Sequence, residues 1–216
     1  MKNLSVPHLP VLDTLDNADD IITLLDRSGA RCIIDSLNWP ADFPYSPLTT
    51  VNIAHSGTAI YIDFFVRSNY LRAVNDANQS PVSQDSCVEF FVSPTGDNHY
   101  WNFEFNCIGA INASHRSERK NPTRLTDDEL SRVTRYASCG SRPFCEIEGI
   151  FTWNLVVVIP LDLIGVKYNG APIDMTANFF KCASATSCPH YLSWNPIDTP
   201  SPDFHQPAFF GKITLE

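Results

Sequence analysis

The chain has 216 residues, of which 44% are hydrophobic and 12% aromatic, enough for one large domain with a substantial core and too apolar for a disordered chain. Its formal net charge of −9 argues against nucleic acid as the main partner, because phosphate binding relies on a basic surface. No apolar run approaches the roughly 18 residues of a membrane span, and the opening Met1-Lys2-Asn3-Leu4-Ser5-Val6-Pro7-His8 lacks the apolar stretch of a signal peptide, so a cytoplasmic location is expected unless the chain has been trimmed.

Residues 16–26 place Ile21, Ile22, Leu24 and Leu25 behind a cluster of Asp and Asn, with Gly29 following. That pattern predicts a short capped helix, with a loop as the alternative. Strands are predicted at residues 31–35, 49–54 and 59–67; in the last, Ile60, Ile62, Phe64 and Val66 alternate with Tyr61, Asp63, Phe65 and Arg67. Another strand is expected at 69–74, followed by a polar loop at 75–84 that contains Pro81.

The next two strands carry the most information. Residues 86–92 read Ser-Cys-Val-Glu-Phe-Phe-Val, and residues 100–107 read Tyr-Trp-Asn-Phe-Glu-Phe-Asn-Cys. Side chains alternate between the faces of a sheet, so Trp101, Phe103 and Phe105 share one face while Tyr100, Asn102, Glu104 and Asn106 share the other. The first face is a core. The second is a row of amides and a carboxylate beside an aromatic ring, and this suits a sugar, which offers hydroxyls around an apolar C–H face.

Between residues 109 and 149 the alternation breaks down in a locally basic stretch holding His115, Arg116, Arg119, Lys120, Arg124, Arg132, Arg135 and Arg142. Thr126-Asp127-Asp128-Glu129 is a capping box that starts a short helix running to about Val133. Residues 151–159 are β-branched and almost wholly apolar, a central strand ended by Pro160. Further strands fall at 175–183 and 208–215. About ten strands with little helix predict an all-β fold: one antiparallel β-sandwich domain over residues 1–216, jelly-roll-like, with one or two short helices.

Seven cysteines are an odd number, so at least one thiol is free and a reducing compartment fits best. Cys139 with Cys145, and Cys182 with Cys188, are near enough in sequence to close small loops. Around Cys188-Pro189-His190 no pair has the short spacing typical of zinc sites, which favours buried small hydrophobes over a metal.

Several segments together resemble the family 9 carbohydrate-binding modules, and more closely the stand-alone family 9-like proteins of gut-type Bacteroidetes. The runs that carry the likeness are 85–91, 102–109 and 153–160, then Asn178-Phe179-Phe180-Lys181-Cys182 and His190 to Pro196, and lastly Pro202-Asp203-Phe204-His205 through Phe209-Phe210-Gly211. Asn38-Trp39-Pro40 also fits, so the likeness spans nearly the whole chain in order. It implies a β-sandwich that binds a mono- or oligosaccharide without cleaving it, in support of polysaccharide utilisation. Calcium is implied as a structural ion, although no run here has the regularly spaced oxygen ligands that would locate it. Sugar-binding members hold a ring between two tryptophans; the matching positions here are Ser83, which is not aromatic, and Phe204. Glu89 matches the acidic residue that bonds sugar hydroxyls.

The expected ligand-binding residues are therefore Glu89, Asn102, Glu104, Asn106, Arg116 and Lys181 for hydroxyls, with Phe204, Trp194 and His205 beside them. Lys181 alternates with Phe180 and Cys182 and is expected on the polar face. Phe204 lies in a loop stiffened by Pro196, Pro200, Pro202 and Pro207, which favours an exposed platform. No residue is assigned a catalytic role. The competing readings are a glycoside hydrolase using Glu89 and Glu104, a haem-binding sandwich with Met175 as the internal methionine, and a protein-binding sandwich.

Overall fold

Strands of period-two hydrophobicity build two sheets in a computed structural model that describes residues 1–95 and 99–216. In chain order the elements are β1 (Asn3–Val6), α1 (Ala18–Ser28), β2 (Ala30–Ile33), β3 (Ser36–Leu37), β4 (Leu48–His55), β5 (Ala59–Ala73), β6 (Cys87–Ser93) and β7 (Tyr100–Asn106). They continue with β8 (Ile111–Arg116), β9 (Pro122–Arg124), α2 (Asp127–Ser131), β10 (Thr134–Ala137), β11 (Phe144–Pro160), β12 (Ile173–Ala183), β13 (His190–Ser193) and β14 (Gly211–Leu215). One sheet has nine strands in the order β1-β14-β12-β6-β7-β8-β9, with β13 and β3 branching from β12. The other has five, in the order β10-β11-β5-β4-β2. Among the described strands all pairings are antiparallel except that of β1 with β14. No described helix is long and apolar enough to cross a membrane. The chain is an all-β sandwich, as its strand pattern predicts.

The inner faces make the main core. Phe64 of the smaller sheet meets Phe179 of the larger edge to face at 6.3 Å, and Phe179 stacks on Phe90 at 5.0 Å. Each such ring, fully buried, stabilises the fold by roughly 1.5–3 kcal/mol. Ile60, Ile62, Phe64 and Val66 all point inward, in the expected phase.

A second apolar cluster lies on the outer face of the larger sheet. Phe91, Tyr100, Phe180 and Cys182 come from the strands; Trp39, Ile197, Phe204 and Phe210 come from loops laid over them. The central strands are consequently buried on both faces, and every residue of β6 is buried. On the inner side, Gly211 lets β14 pack closely, since a Cβ there would stand 2.8 Å from the carbonyl oxygen of Lys2 and 2.7 Å from the Trp194 ring.

Helix α1 forms with Asn17 as its cap, the Asn17 side chain accepting from the Asp20 N–H. The Thr126–Glu129 capping box also forms. Several boundaries differ from expectation. The predicted strands at 59–67 and 69–74 are one strand, β5, and β11 begins at Phe144, seven residues before the apolar run. Its first half is largely exposed and bulged, so alternation is lost there. The stretch read as irregular contains β8, β9 and β10, short or half-exposed strands whose pattern is weak. The last strand starts at Gly211, because 207–209 form a 3-10 turn. All seven cysteines are free thiols, so neither small loop is closed by a disulfide.

Asp85 fastens the entry to β6. Its side chain is fully buried, and it accepts from the N–H groups of Val74 (3.0 Å) and Asn75 (2.9 Å) and from the amides of Asn75 (3.1 Å) and Asn106 (3.0 Å). It also pairs with Arg72 of β5. Burial pushes the carboxyl up, but the donors outweigh it and hold it below the usual carboxylate range. A depressed value means that this contribution is present above the ordinary carboxyl pKa and is lost as pH falls through the folded-state value. Asp85→Ala, which leaves buried donors unpaired, is expected to lower the unfolding free energy by about 3–5 kcal/mol at neutral pH. Urea titrations at falling pH should show the deficit narrowing below about pH 4.

Candidate functional site

The register of β12, β6 and β7 decides which side chains meet on the outer face. Glu89 stands directly opposite Glu104 on one side and Phe180 on the other. Tyr100, Asn102, Glu104 and Asn106 share that face, as the alternation predicts, but the loops cover it and all four are buried. What stays open is a cavity of about 240 Å³. Glu89, Glu104 and Cys182 form its floor; Tyr191 and Phe204 supply aromatic walls; Arg119 and Asp203 stand at the rim.

The two carboxyls are treated differently by their surroundings. Glu104 accepts from Asn102 Nδ2 (2.9 Å) and Asn112 Nδ2 (3.1 Å). Burial raises its pKa, while these amides and the nearby Arg116 charge oppose the rise. Glu89 accepts only from thiols among the described residues, with Cys182 Sγ at 3.1 Å. Burial, the Cys182 thiol and the Glu104 charge all push Glu89 up, well above the usual range. The pair therefore offers one carboxyl held by amides and one flanked by thiols, with burial favouring the neutral form more strongly at Glu89. Side by side, they present carboxyl oxygens to a hydroxyl in the cavity.

Of the expected site residues, Glu89, Glu104, Phe204 and His205 line the cavity. Phe204 is a wall rather than an exposed platform: its ring stacks on Phe180 (4.2 Å, 12°) and only 9% of the residue is exposed. Prolines stiffen its loop, but an apolar face beneath draws the ring down. His205 shares a hydrogen bond with the Tyr100 hydroxyl at 3.0 Å and packs against Phe91.

The other expected residues are not at the cavity. Asn102 accepts from Arg116 Nε (2.6 Å) while donating to Glu104, so Asn102 and Arg116 position the floor instead of touching its contents. Asn106 is a structural amide that binds Asp85, the Asn75 carbonyl and the Ala110 N–H. Trp194 is 3% exposed and packs edge to face on Phe179 in the inter-sheet core.

Lys181 lies on the opposite face from the expected one. Its register partner is Val88, an inner-face residue, and its ammonium donates to the Cys182 carbonyl (2.7 Å) and to His190 Nε2 (3.0 Å). Burial pushes the lysine down and the histidine well below its usual value. The cause of the misplacement is the loop cover. Phe180 is apolar yet faces outward, so hydrophobicity does not mark the inner face of β12.

Seven cavity residues lay outside the expected set, among them Cys182, Ser184 and Pro202. Tyr191 pairs with Cys182 across β13 and β12, and the alternation His190-Tyr191-Leu192 with Leu192 in the core is the signal for it. Arg119 and Asp203 pair at 3.2 Å across the rim, a contact between distant loops that spacing does not reveal. Ser83, where a clamp tryptophan was expected and not found, does open onto the cavity. Calcium takes six to eight oxygen ligands. Among the described residues the one close group of three ligating His, Cys, Asp or Glu side chains is Cys87, Glu89 and Cys182, and two of its three ligand atoms are sulfur. That set does not fit calcium.

A family model of carbohydrate-binding family 9 matches residues 19–215. The chain belongs to carbohydrate-binding family 9. A crystal structure of a candidate carbohydrate-binding protein from Bacteroides uniformis is similar over 100% of this chain and 99% of its own, with 35% identity and a TM-score of 0.91. Two structures of a family 9 module from Caldicellulosiruptor kristjanssonii share the fold. The module in complex with glucose has 16% identity and a TM-score of 0.61, covering 100% of this chain and 96% of that one. The module in complex with cellotriose has 12% identity and a TM-score of 0.63, covering 100% and 94%. Among curated proteins no sequence match was found. This chain carries its polar row on a sheet face, and loops cover that face around the cavity over Glu89 and Glu104.

Burial, with the Arg116 and Arg119 charges, holds the imidazole of His205 down at about 3, against the opposing pull of Asp203. The unfolded chain takes a proton near pH 6.5 and the folded chain does not, so stability falls as pH drops below that point toward the folded value. We expect the His205 ring resonances to show no titration down to about pH 5. Wild-type stability should fall by about 2 kcal/mol between pH 7.5 and pH 5 from this group alone, a loss that His205→Gln removes.

Proposed function

We propose that the cavity over Glu89 and Glu104 receives one ring of a neutral saccharide, such as the terminal glucose unit of a cello-oligosaccharide. The supporting observation is the carboxyl pair, which opens onto a space walled by Tyr191 and Phe204. Glu104 bonds one hydroxyl, and Glu89 bonds its neighbour. Arg119 and Asp203 serve hydroxyls at the mouth, and the two aromatic side chains meet the C–H surface. The volume of about 240 Å³ lies below the roughly 300–1,000 Å³ of sites that enclose drug-sized ligands, so a single ring is favoured over a length of chain. The module from Caldicellulosiruptor kristjanssonii that binds glucose and cellotriose lends the ligand class to this reading.

Binding without cleavage follows from the same geometry. Glu89 and Glu104 rise side by side from one floor and so approach a sugar from the same side. Glycosidase carboxyls flank the scissile bond, with water or a nucleophile on the face opposite the acid.

Calorimetry or ligand-observed NMR with glucose, cellobiose and cellotriose tests the reading. Glu104→Gln removes a charge-assisted hydrogen bond of about 1.5–3 kcal/mol and should weaken the dissociation constant by about one to two orders of magnitude. Tyr191→Ala is expected to cost several-fold through lost stacking area. No product should appear from these saccharides. Absence of any response to hexoses or their oligomers from the folded wild type rejects the proposal.

A further inference from the structure

We propose that Cys87, Glu89 and Cys182 form a binding site for a thiophilic divalent cation, zinc being the best match, in the floor of the cavity. Cys87 and Glu89 are two residues apart on β6 and therefore share its outer face. Cys182 is the register partner of Cys87 on β12. The strand pairing alone gathers the three side chains, and their ligand atoms all lie within 4.8 Å of one another.

The separations suit one small ion. A tetrahedral zinc with sulfur at about 2.3 Å and oxygen at about 2.1 Å holds its ligand atoms roughly 3.6–3.8 Å apart. Glu89 Oε1 stands 3.1 Å from Cys182 Sγ and 3.9 Å from Cys87 Sγ, which straddles that value. Together the three atoms outline one face of a tetrahedron. Glu89 and Cys182 also line the cavity, which leaves a fourth position for water, as in zinc sites that keep an open coordination place.

The groups are otherwise poorly engaged. The two thiols also bond each other, and their remaining contacts are long ones to carbonyls, 3.7 Å from Cys87 to Val88 and 3.7 Å from Cys182 to Ser83. Lys181, the nearest cation in sequence, is turned to the other face of the sheet, and no described basic side chain bonds Glu89. A cation would bind this set in exchange for protons of the two thiols and the carboxyl, so that no separate cationic partner is needed. Two sulfurs and one oxygen select zinc or a similar soft ion over calcium or magnesium.

Cobalt(II) is the probe, titrated into the full-length chain after reduction and removal of metal by chelator. We expect about one equivalent to bind with sulfur-to-cobalt charge-transfer absorption, and zinc to displace it and bleach the band. Cys87→Ser and Cys182→Ser should each abolish the band and weaken zinc binding roughly tenfold or more, whereas Cys145→Ser, at an exposed thiol, leaves both unchanged. Absence of thiolate absorption in the folded wild type overturns the proposal, as does a band that survives both serine variants or follows Cys139 instead. Should the serine variants fail to fold, the wild-type chain decides. Zinc should slow alkylation of Cys182 at least several-fold, read by mass spectrometry, without slowing that of Cys145, and equal rates overturn the site. No saccharide is present in these measurements, so their failure is separable from failure of saccharide binding.

Discussion

A sheet buried on both faces is the constraint from which the rest of this molecule follows. The inner face of the larger sheet is closed by the smaller one, an ordinary sandwich arrangement. Its outer face is closed by loops that bring Trp39, Ile197, Phe204 and Phe210 onto Phe91, Tyr100 and Phe180. Polar groups on such a face lose water and must find partners within the protein. Asn102, Asn106 and Asn112 supply them, and Glu89 and Glu104 border a gap in the cover. Cavity and polar row are two results of the same packing.

Burial also sets the chemistry of the floor. Two carboxyls in register on neighbouring strands would repel if both were ionised, and the low polarity of the site sharpens that repulsion. The division into an amide-held Glu104 and a thiol-flanked Glu89 resolves it without an arginine or lysine in contact. Arg116 acts one step away, through Asn102. A saccharide, having no charge to offer, is a fitting guest for a floor of hydrogen-bonding groups with no described basic side chain in contact.

The fold was legible because alternation is a strong signal wherever one face is apolar and the other is not. β5 shows this at Ile60, Ile62, Phe64 and Val66, and β7 shows it at Phe103 and Phe105 against Asn102 and Glu104. β12 shows the limit. In Asn178-Phe179-Phe180-Lys181-Cys182 both faces are covered, so apolar residues point both ways and Lys181 is found inside. The site was legible as far as its strands carried it, through Glu89 and Glu104. It was hidden where loops complete it: Arg119 and Asp203 are 84 positions apart and meet only at the rim. The pairing of Cys87 with Cys182 was hidden for the same reason, since spacing rules for metal ligands describe turns and helices and not neighbouring strands.

The margin of the larger sheet at β9 has a consequence of its own. Its three residues, Pro122, Thr123 and Arg124, are all exposed. Proline has no amide hydrogen to offer an incoming strand, and the guanidinium resists being stacked against another copy of itself. Copies of the chain at high concentration would otherwise meet border to border. This frayed margin lets them crowd without zipping into fibrils.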